Sequence, residues 1–167
     1  MTNSQSNLDF KTMARRYLEK AGYRDVEDDN GSSLVRGKNR FFESFVMKGL
    51  QVDLIEPGRI LCSFRVPPRL LNSGNFLHGG ATASLVDLVG SAVIYTLGSS
   101  TTGVSLEINI SYLDAAYIDE EIEIEAKVLR VGKAIGVVTV ELRKKSSGRI
   151  IAQGRHTKYL SIGASRL

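Results

Sequence analysis

The sequence predicts an α+β fold in which an antiparallel sheet wraps around one long central helix, with an N-terminal helical extension before it. Two observations predict this class. Residues 77–98 form one helical pattern that is apolar on nearly every side, so a sheet, or a sheet and a partner subunit, must cover every face. Six further stretches have strand-like patterns and are joined by short turns, which favours antiparallel neighbours.

The composition fits a single folded domain. The chain has 167 residues, of which 43% are hydrophobic and 24% charged, and its net charge is +4. This mild basic excess permits an anionic ligand without requiring nucleic acid. The longest apolar run is interrupted by Asp87 and by small polar residues, so we expect no membrane span, and no signal peptide opens the chain.

The chain divides into an N-terminal extension, residues 1–47, a folded domain, residues 48–160, and a C-terminal tail, residues 161–167. The first nine residues are polar and are expected to be disordered. A helix is predicted over residues 10–22, because the apolar side chains recur at helical spacing and Gly22 is a typical C-terminal stop.

The rest of the extension contains a linker and a second helix. Residues 24–39 are charged and contain Gly and Ser without an apolar period, which is typical of a linker. The apolar residues of 41–46 then share one helical face before Gly49. We therefore expect a short helix that enters the folded domain.

The folded domain begins with a hairpin. Strands are predicted at residues 50–56, 59–66, 104–113, 121–131, 135–145 and 149–160. Pro57 and Gly58 turn the first pair, and Ser146 to Gly148 turn the last. The helix at 77–98 stands between the second and third strands.

Few side chains of this sequence are suited to redox or metal chemistry. Cys62 is the only cysteine, so no intrachain disulfide forms, and its place on the apolar face of a strand makes it a core residue. Two His and one Cys are too few for a usual zinc site. We therefore expect no metal and no cofactor.

Asp87 is the one charged side chain in the apolar stretch. Between Leu70 and Leu106 no other Asp, Glu, Lys or Arg occurs, although 24% of the whole chain is charged. A carboxylate in a stretch built for burial must be paired, hydrogen-bonded, protonated or held for chemistry. A hydrogen-bonded core acid and a catalytic acid are both open at this point.

The central helix begins with His78, Gly79 and Gly80. Free N–H groups at a helix start can hold a developing oxyanion, and glycine lets a ligand approach them closely; the alternative is a tight turn capped by His78. Gly79 and Asp87 are eight residues apart, roughly 12 Å along a helix, so one chain cannot bring both to the same carbonyl. Two antiparallel helices related by a two-fold axis could, which predicts a homodimer with sites between subunits.

The strand after the helix alternates between apolar and polar residues. Val104 and the even-numbered residues to Tyr112 are apolar and take one face, and Ser105 begins a polar row on the other. Exposure to solvent is the default explanation of such a row on an antiparallel sheet. Ser105 is therefore expected to face outward.

The chain resembles the hotdog-fold acyl-CoA thioesterase superfamily, in particular its small thioesterases such as the phenylacetyl-CoA type. The resemblance covers residues 48–160 and rests on the order of elements and on "LHGGATASLVD", "GVSLEINISYL" and "AQGRHTKYL". It implies a hotdog fold, hydrolysis of acyl-CoA to a free acid and CoA, and assembly as a homodimer or as a dimer of dimers (a homotetramer). A place in lipid metabolism follows from that substrate.

The resemblance also implies catalytic residues. Asn72, Gly79, Asp87 and Ser105 match the family's catalytic positions, and the first two come from one subunit while the last two come from the other. The Gly79 N–H would polarise the thioester carbonyl, and Asp87 would deprotonate a water. Ser105 and Asn72 would position that water or the carbonyl. Direct attack by Asp87 to give an anhydride is also open.

Substrate contacts are implied in the same way. The residues concerned are His78, Tyr112, Arg130, Lys133 and Tyr159. Arg130 and Lys133 would suit the phosphates of CoA. His78 matches the motif histidine, for which a structural role at the helix start is expected.

Two other functions are open. A hotdog hydratase or dehydratase pairs its acid with a catalytic histidine, but His78 precedes Asp87 by nine residues and His156 lies on a late strand, so no such pair is expected. A non-catalytic acyl-CoA-binding homodimer would use Asp87 only as a hydrogen-bonded core group.

The last three residues, Ser165, Arg166 and Leu167, resemble the SKL type of peroxisomal address. We expect a peroxisomal location, with the cytoplasm as the alternative. A single cysteine fits the reducing conditions of such compartments.

Overall fold

The computed structural model describes residues 3–22 and 41–160. Within these ranges the elements are, in order, α1 (Asn3–Gly22), α2 (Phe41–Met47), β1 (Gln51–Glu56), β2 (Arg59–Arg65), α3 (Gly79–Tyr95), β3 (Val104–Tyr112), β4 (Glu121–Val131), β5 (Ile135–Lys144) and β6 (Ile150–Tyr159). A short 3-10 turn, Pro68–Leu70, follows β2. The predicted linker at residues 24–39 and the terminal Ser165 to Leu167 lie outside the described residues.

The predicted strands are confirmed to within one residue at each end, and the central helix is confirmed as α3. Helix α1 is longer than predicted, because it begins at Asn3 and not near residue 10. This first stretch contains no Gly or Pro, so the helix can propagate back from its packed half. The disorder predicted for residues 3–9 is therefore wrong.

The six strands form one antiparallel sheet in the order β1-β2-β4-β5-β6-β3. Strand β3 therefore skips its sequence neighbour β4 and pairs with β6 at one edge of the sheet. Helix α3 packs against β3, β4, β5 and β6. The predicted α+β class, with an antiparallel sheet around one long helix, is confirmed.

The core lies between the sheet and α3. Its fully buried large side chains include Ile60, Phe64, Leu85, Ile122, Ile124 and Leu142. Cys62 belongs to this core as predicted, and burial raises the pKa of its thiol to about 12. The thiol is therefore protonated and unreactive at neutral pH.

Helix α1 also packs against α3. Ala14 and Leu18 of α1 are buried in the same core as Leu85 of α3. The ring centroids of Tyr17 and Tyr95 lie 5.7 Å apart. The extension therefore contributes side chains to the core and covers part of the central helix.

Candidate active site

Asp87 lies in the middle of α3 and faces strands β3 and β6. Its Oδ1 atom is 3.4 Å from Ser91 Oγ, 3.4 Å from Ser105 Oγ and 3.5 Å from His156 Nε2. All of its polar contacts with the described residues go to Oδ1, so Oδ2 is left for a ligand. The carboxylate is hydrogen-bonded, which is one of the alternatives left open by the sequence, but it is not buried, because 42% of the side chain is exposed in the single chain.

Ser105 reaches the carboxylate because of a β-bulge in β3. Opposite residues of an antiparallel pair share a face, and Ser105 lies opposite Lys158 while Ile108 lies opposite His156. The register shifts just after Ser105, so this residue joins Ile108 on the helix side of the sheet. Ser105 is exposed in the single chain, as predicted, but its assignment to the face opposite Ile108 is wrong, because strict alternation does not allow for the extra residue of a bulge.

His156 is a fully buried neighbour of the carboxylate, and its Nε2 lies 2.8 Å from Ser105 Oγ. Burial, and then the charge of Lys158, lower the pKa of His156 to about 4, so its ring is neutral at pH 7. Its Nδ1 has no hydrogen-bond partner among the described residues, and a Cβ on Gly90 would lie 3.3 Å from it. We assign the proton to Nε2, which then donates to Ser105 Oγ and leaves the serine hydrogen for Asp87.

The expectation that no histidine pairs with the acid is therefore wrong. His156 is distant in sequence but comes beside Asp87 because β6 pairs with β3. "AQGRHTKYL" did contain a signal, since His156 and Lys158 alternate in phase with the small residues Ala152 and Gly154. Polar side chains at inward positions of a buried strand indicate an internal hydrogen-bond network.

Lys158 is a second residue that the sequence analysis missed. Its side chain is buried, and Nζ donates to Ser91 Oγ at 2.6 Å. Burial lowers the pKa of this ammonium, while the charge of Asp87 acts in the opposite direction. A basic side chain thus reaches Asp87 through Ser91, just as His156 reaches it through Ser105.

A separate group of predicted residues surrounds the start of α3. His78 caps this helix, because its Nδ1 accepts a hydrogen bond from the Gly80 N–H at 2.8 Å. The Gly79 N–H precedes the helical ladder and makes no hydrogen bond with the described residues. The Tyr112 hydroxyl donates to the Gly79 carbonyl at 3.1 Å, and a Cβ on Gly79 would meet that ring at 3.4 Å. The N–H of Gly79 is therefore available to a carbonyl oxygen.

Asn72 lies in the loop before α3. Its Oδ1 accepts hydrogen bonds from the N–H groups of Gly74 and Phe76, at 2.8 and 3.3 Å. These bonds fix the amide and leave its Nδ2 hydrogens for a ligand. Asn72 and Gly79 both present donors, which is what a developing oxyanion requires.

The two groups lie at opposite ends of β3. Ser105 is paired with Lys158 at one end, and Tyr112 is paired with Ala152 at the other. The start of α3 is eight residues, or roughly 12 Å, from Asp87. One chain therefore holds two half-sites. We call them the acid half-site (Asp87, Ser91, Ser105, His156 and Lys158) and the donor half-site (Asn72, His78, Gly79 and Tyr112).

The predicted CoA contacts are divided between these two ends. Tyr159 ends β6 opposite Ile135, at the same end of the sheet as the acid half-site. Arg130 and Lys133 flank the β4–β5 turn at that end, and both are exposed. Tyr112 lies at the other end. One chain therefore does not bring the four residues together.

In the ranges that the structure describes, no group of three or more His, Cys, Asp or Glu side chains could hold a metal ion. No helix in the same ranges is long and apolar enough to cross a bilayer.

Comparison with known proteins identifies relatives along most of the chain. A family model described as "Thioesterase superfamily" matches residues 74–151, so helix α1 lies outside the match. Acyl-coenzyme A thioesterase 13 of Homo sapiens is 40% identical over 123 residues, which is 74% of this chain and 87% of that protein. Thioesterase superfamily member 2 of zebra fish has a TM-score of 0.74 and 32% identity, covering 90% of this chain and 97% of its own. The PaaI protein of E. coli, at 16% identity and a TM-score of 0.65, covers 95% of this chain and 99% of its own and shares the fold.

Proposed function

This chain belongs to the thioesterase superfamily and is a thioester hydrolase with a hotdog fold, and we propose that it hydrolyses acyl-CoA to a free acid and CoA. Its relatives named as acyl-coenzyme A thioesterase support that substrate class. The observation that carries the proposal is the acid half-site. There, Oδ1 of Asp87 is held by two hydroxyl groups and Oδ2 is left for a water.

The proposal includes a homodimer formed through β3. This strand lies at the edge of the sheet, and its apolar side chains are exposed, with Leu106 57% and Tyr112 56% exposed. A long apolar edge strand favours pairing with a second strand. A two-fold axis would set the two β3 strands antiparallel, so the acid half-site of one subunit would meet the partner's donor half-site. Asp87 would then face the partner subunit's Gly79.

Hydrolysis follows from the combined site. The thioester oxygen lies against the Gly79 N–H and the Asn72 amide, which stabilise the negative charge that develops there. Asp87 takes a proton from a water through Oδ2 while Ser105 holds Oδ1, and the water oxygen bonds to the carbonyl carbon. The tetrahedral intermediate collapses as the C–S bond breaks. The proton on Asp87 passes to the CoA thiolate, which regenerates the carboxylate.

The same two-fold axis would also bring predicted CoA contacts together at one binding site. It would bring the partner subunit's Tyr112 to the end of the sheet where Arg130, Lys133 and Tyr159 lie. Two exposed cations there match the phosphates of the CoA nucleotide. Tyr112 would then lie around one substrate with Arg130, Lys133 and Tyr159.

The acid–histidine pair does not favour a hydratase. A histidine that exchanges protons with substrate must contact it, whereas His156 is fully buried behind Ser105 and the carboxylate. Its neutral ring orients the hydroxyl of Ser105 instead. Enoyl-CoA hydration is therefore expected to be absent, and its detection would favour the alternative that this chain is a hydratase.

The first test is thiol release from acetyl-, medium-chain, long-chain and aromatic acyl-CoA by the wild type and by Asp87→Asn. Turnover that disappears in a variant that is still dimeric supports the proposal and identifies the acyl class. Full activity in Asp87→Asn would remove the acid from the mechanism. If the wild type binds acyl-CoA without turning over any substrate, the chain is a binding protein.

A second test separates the two roles of Asp87. In a single turnover with excess enzyme in H₂¹⁸O, a general base places ¹⁸O in the released acid. An anhydride formed by Asp87 and opened by attack of water on the aspartyl carbonyl gives an acid with ¹⁶O from the enzyme. In mass spectrometry, a product acid without ¹⁸O in the first turnover would establish that anhydride route, and we expect ¹⁸O.

Two broader expectations complete the proposal. Assembly as a dimer of dimers follows from the resemblance, and sedimentation equilibrium against the 18.3 kDa chain mass tests it. A role in lipid metabolism follows from the acyl-CoA substrate, and a peroxisomal location follows from Ser165 to Leu167, which lie outside the described residues. The location of a fluorescent fusion, with and without these three residues, tests whether they direct the protein to peroxisomes.

A further inference from the structure

Asp87 has a counter-charge on the side away from Ser105. Lys158 is 3% exposed, its Nζ lies 2.6 Å from Ser91 Oγ, and Ser91 Oγ lies 3.4 Å from Asp87 Oδ1. The ammonium is thus within about 6 Å of the carboxylate, the range in which an opposite charge favours ionisation. A buried ammonium is costly without such a partner. Ser91 therefore bridges an ion pair inside the acid half-site.

The hydrogen bonds around Ser91 have one consistent direction. A serine hydroxyl has one hydrogen and two acceptor lone pairs. The Lys158 ammonium can only donate, so it occupies a lone pair of Ser91. Its hydrogen is then directed at Asp87 Oδ1.

We propose that Lys158 and Ser91 are positioning residues for Asp87: they fix the direction of the Ser91 hydrogen, hold Oδ1 and keep Oδ2 turned toward the water. This inference rests on the proposed function. The titratable group beside this network is His156 on β6.

The test addresses the bridge. Ser91→Ala removes the bridging hydroxyl and Ser91→Thr restores it, so we expect kcat to fall about tenfold in the first and to recover in the second, with KM within about twofold in both. Lys158→Met removes the cation that holds Ser91, and kcat is expected to fall about fivefold. Wild-type kcat in both Ser91→Ala and Lys158→Met would overturn the proposal.

Asp87→Asn separates this inference from the proposed function. If that variant keeps full activity, the proposed mechanism fails as a whole. If it is inactive while Ser91→Ala and Lys158→Met both match the wild type, only the positioning role fails. Circular dichroism and gel filtration identify a variant that does not fold, and the conservative Ser91→Thr then decides.

Discussion

The two half-sites are built from different parts of the chain and by different means. The acid half-site joins side chains from α3, β3 and β6, and depends on a bulge and on a strand that skips its sequence neighbour. The donor half-site comes from one loop and the helix start that follows it, Asn72 to Gly80, with Tyr112 packed against it. Proton transfer needs a carboxylate held among several groups, whereas an oxyanion needs fixed donors.

This difference predicts how each half-site responds to substitution. In the acid half-site the groups are linked through shared hydroxyls, so the loss of one atom disturbs its neighbours. In the donor half-site the hydrogen bonds of Asn72 and His78 are local, and each serves one backbone N–H. Substitutions there should remain confined to the helix start and its loop.

The largest effect is expected from Asp87→Asn. The amide has nearly the same shape but no basic oxygen, so kcat for thioester hydrolysis should fall roughly 10³-fold. Asp53→Asn is the matched control, because Asp53 is an exposed carboxylate on β1 that accepts from Ser63 outside both half-sites. Thiol release measures both variants. A comparable loss in the control would show that the assay reports folding and not the acid.

The next effect tests whether the half-sites meet across subunits. Asn72→Ala should lower kcat about 10²-fold, since one donor to the oxyanion is lost. After subunit mixing with Asp87→Asn, half of the dimers are hybrids, and each hybrid holds one site with both residues intact. We expect roughly a quarter of the wild-type activity to return. Hybrids seen by native mass spectrometry without recovered activity would contradict the shared site.

The donor half-site could be predicted from the sequence because its signals are local. Glycines at the start of an apolar helix and an asparagine in the loop before it are adjacent in the chain, and the structure leaves the Gly79 N–H and the Asn72 amide available. The positions of the strands could also be predicted from the sequence, since a period of two residues is a local pattern. The start of α1 was missed because polar residues without helix breakers give no boundary signal.

The acid half-site could be predicted only in part. Asp87 was identified by its isolation among apolar residues, but its neighbours depend on which strands pair. Strand order is not encoded in a local pattern, so His156 and Lys158 were not expected beside the acid. Ser105 was assigned to the wrong face because one bulge residue reverses the alternation.

A smaller effect is expected in stability, and it arises in the acid half-site. The pKa of His156 is lowered from an ordinary 6.5 to about 4 by burial, so below pH 6.5 the unfolded chain binds a proton that the folded chain does not. The stabilisation is complete above pH 6.5 and is lost as the pH falls toward 4. The free energy of unfolding should fall by about 3 kcal/mol from this group over that range.

Urea unfolding at several pH values, compared between the wild type and His156→Gln, isolates this contribution. The glutamine keeps a donor near Ser105 but does not titrate. The difference between the two proteins should shrink as the pH falls from 6.5 to 4, because only the wild type loses the stabilisation. A constant difference would show that His156 is not the titrating group.

The smallest effect is expected from the other histidine, in the donor half-site. His78 is exposed and serves one backbone N–H, so His78→Ala should cost about 1 kcal/mol, the usual value of a lost helix cap. His78→Asn supplies another side-chain acceptor at the same position and should recover most of this loss. Thermal unfolding of the two variants measures it. If His78→Ala were instead as costly as the loss of a buried network residue, the donor half-site would not be local, and its contrast with the acid half-site would fail.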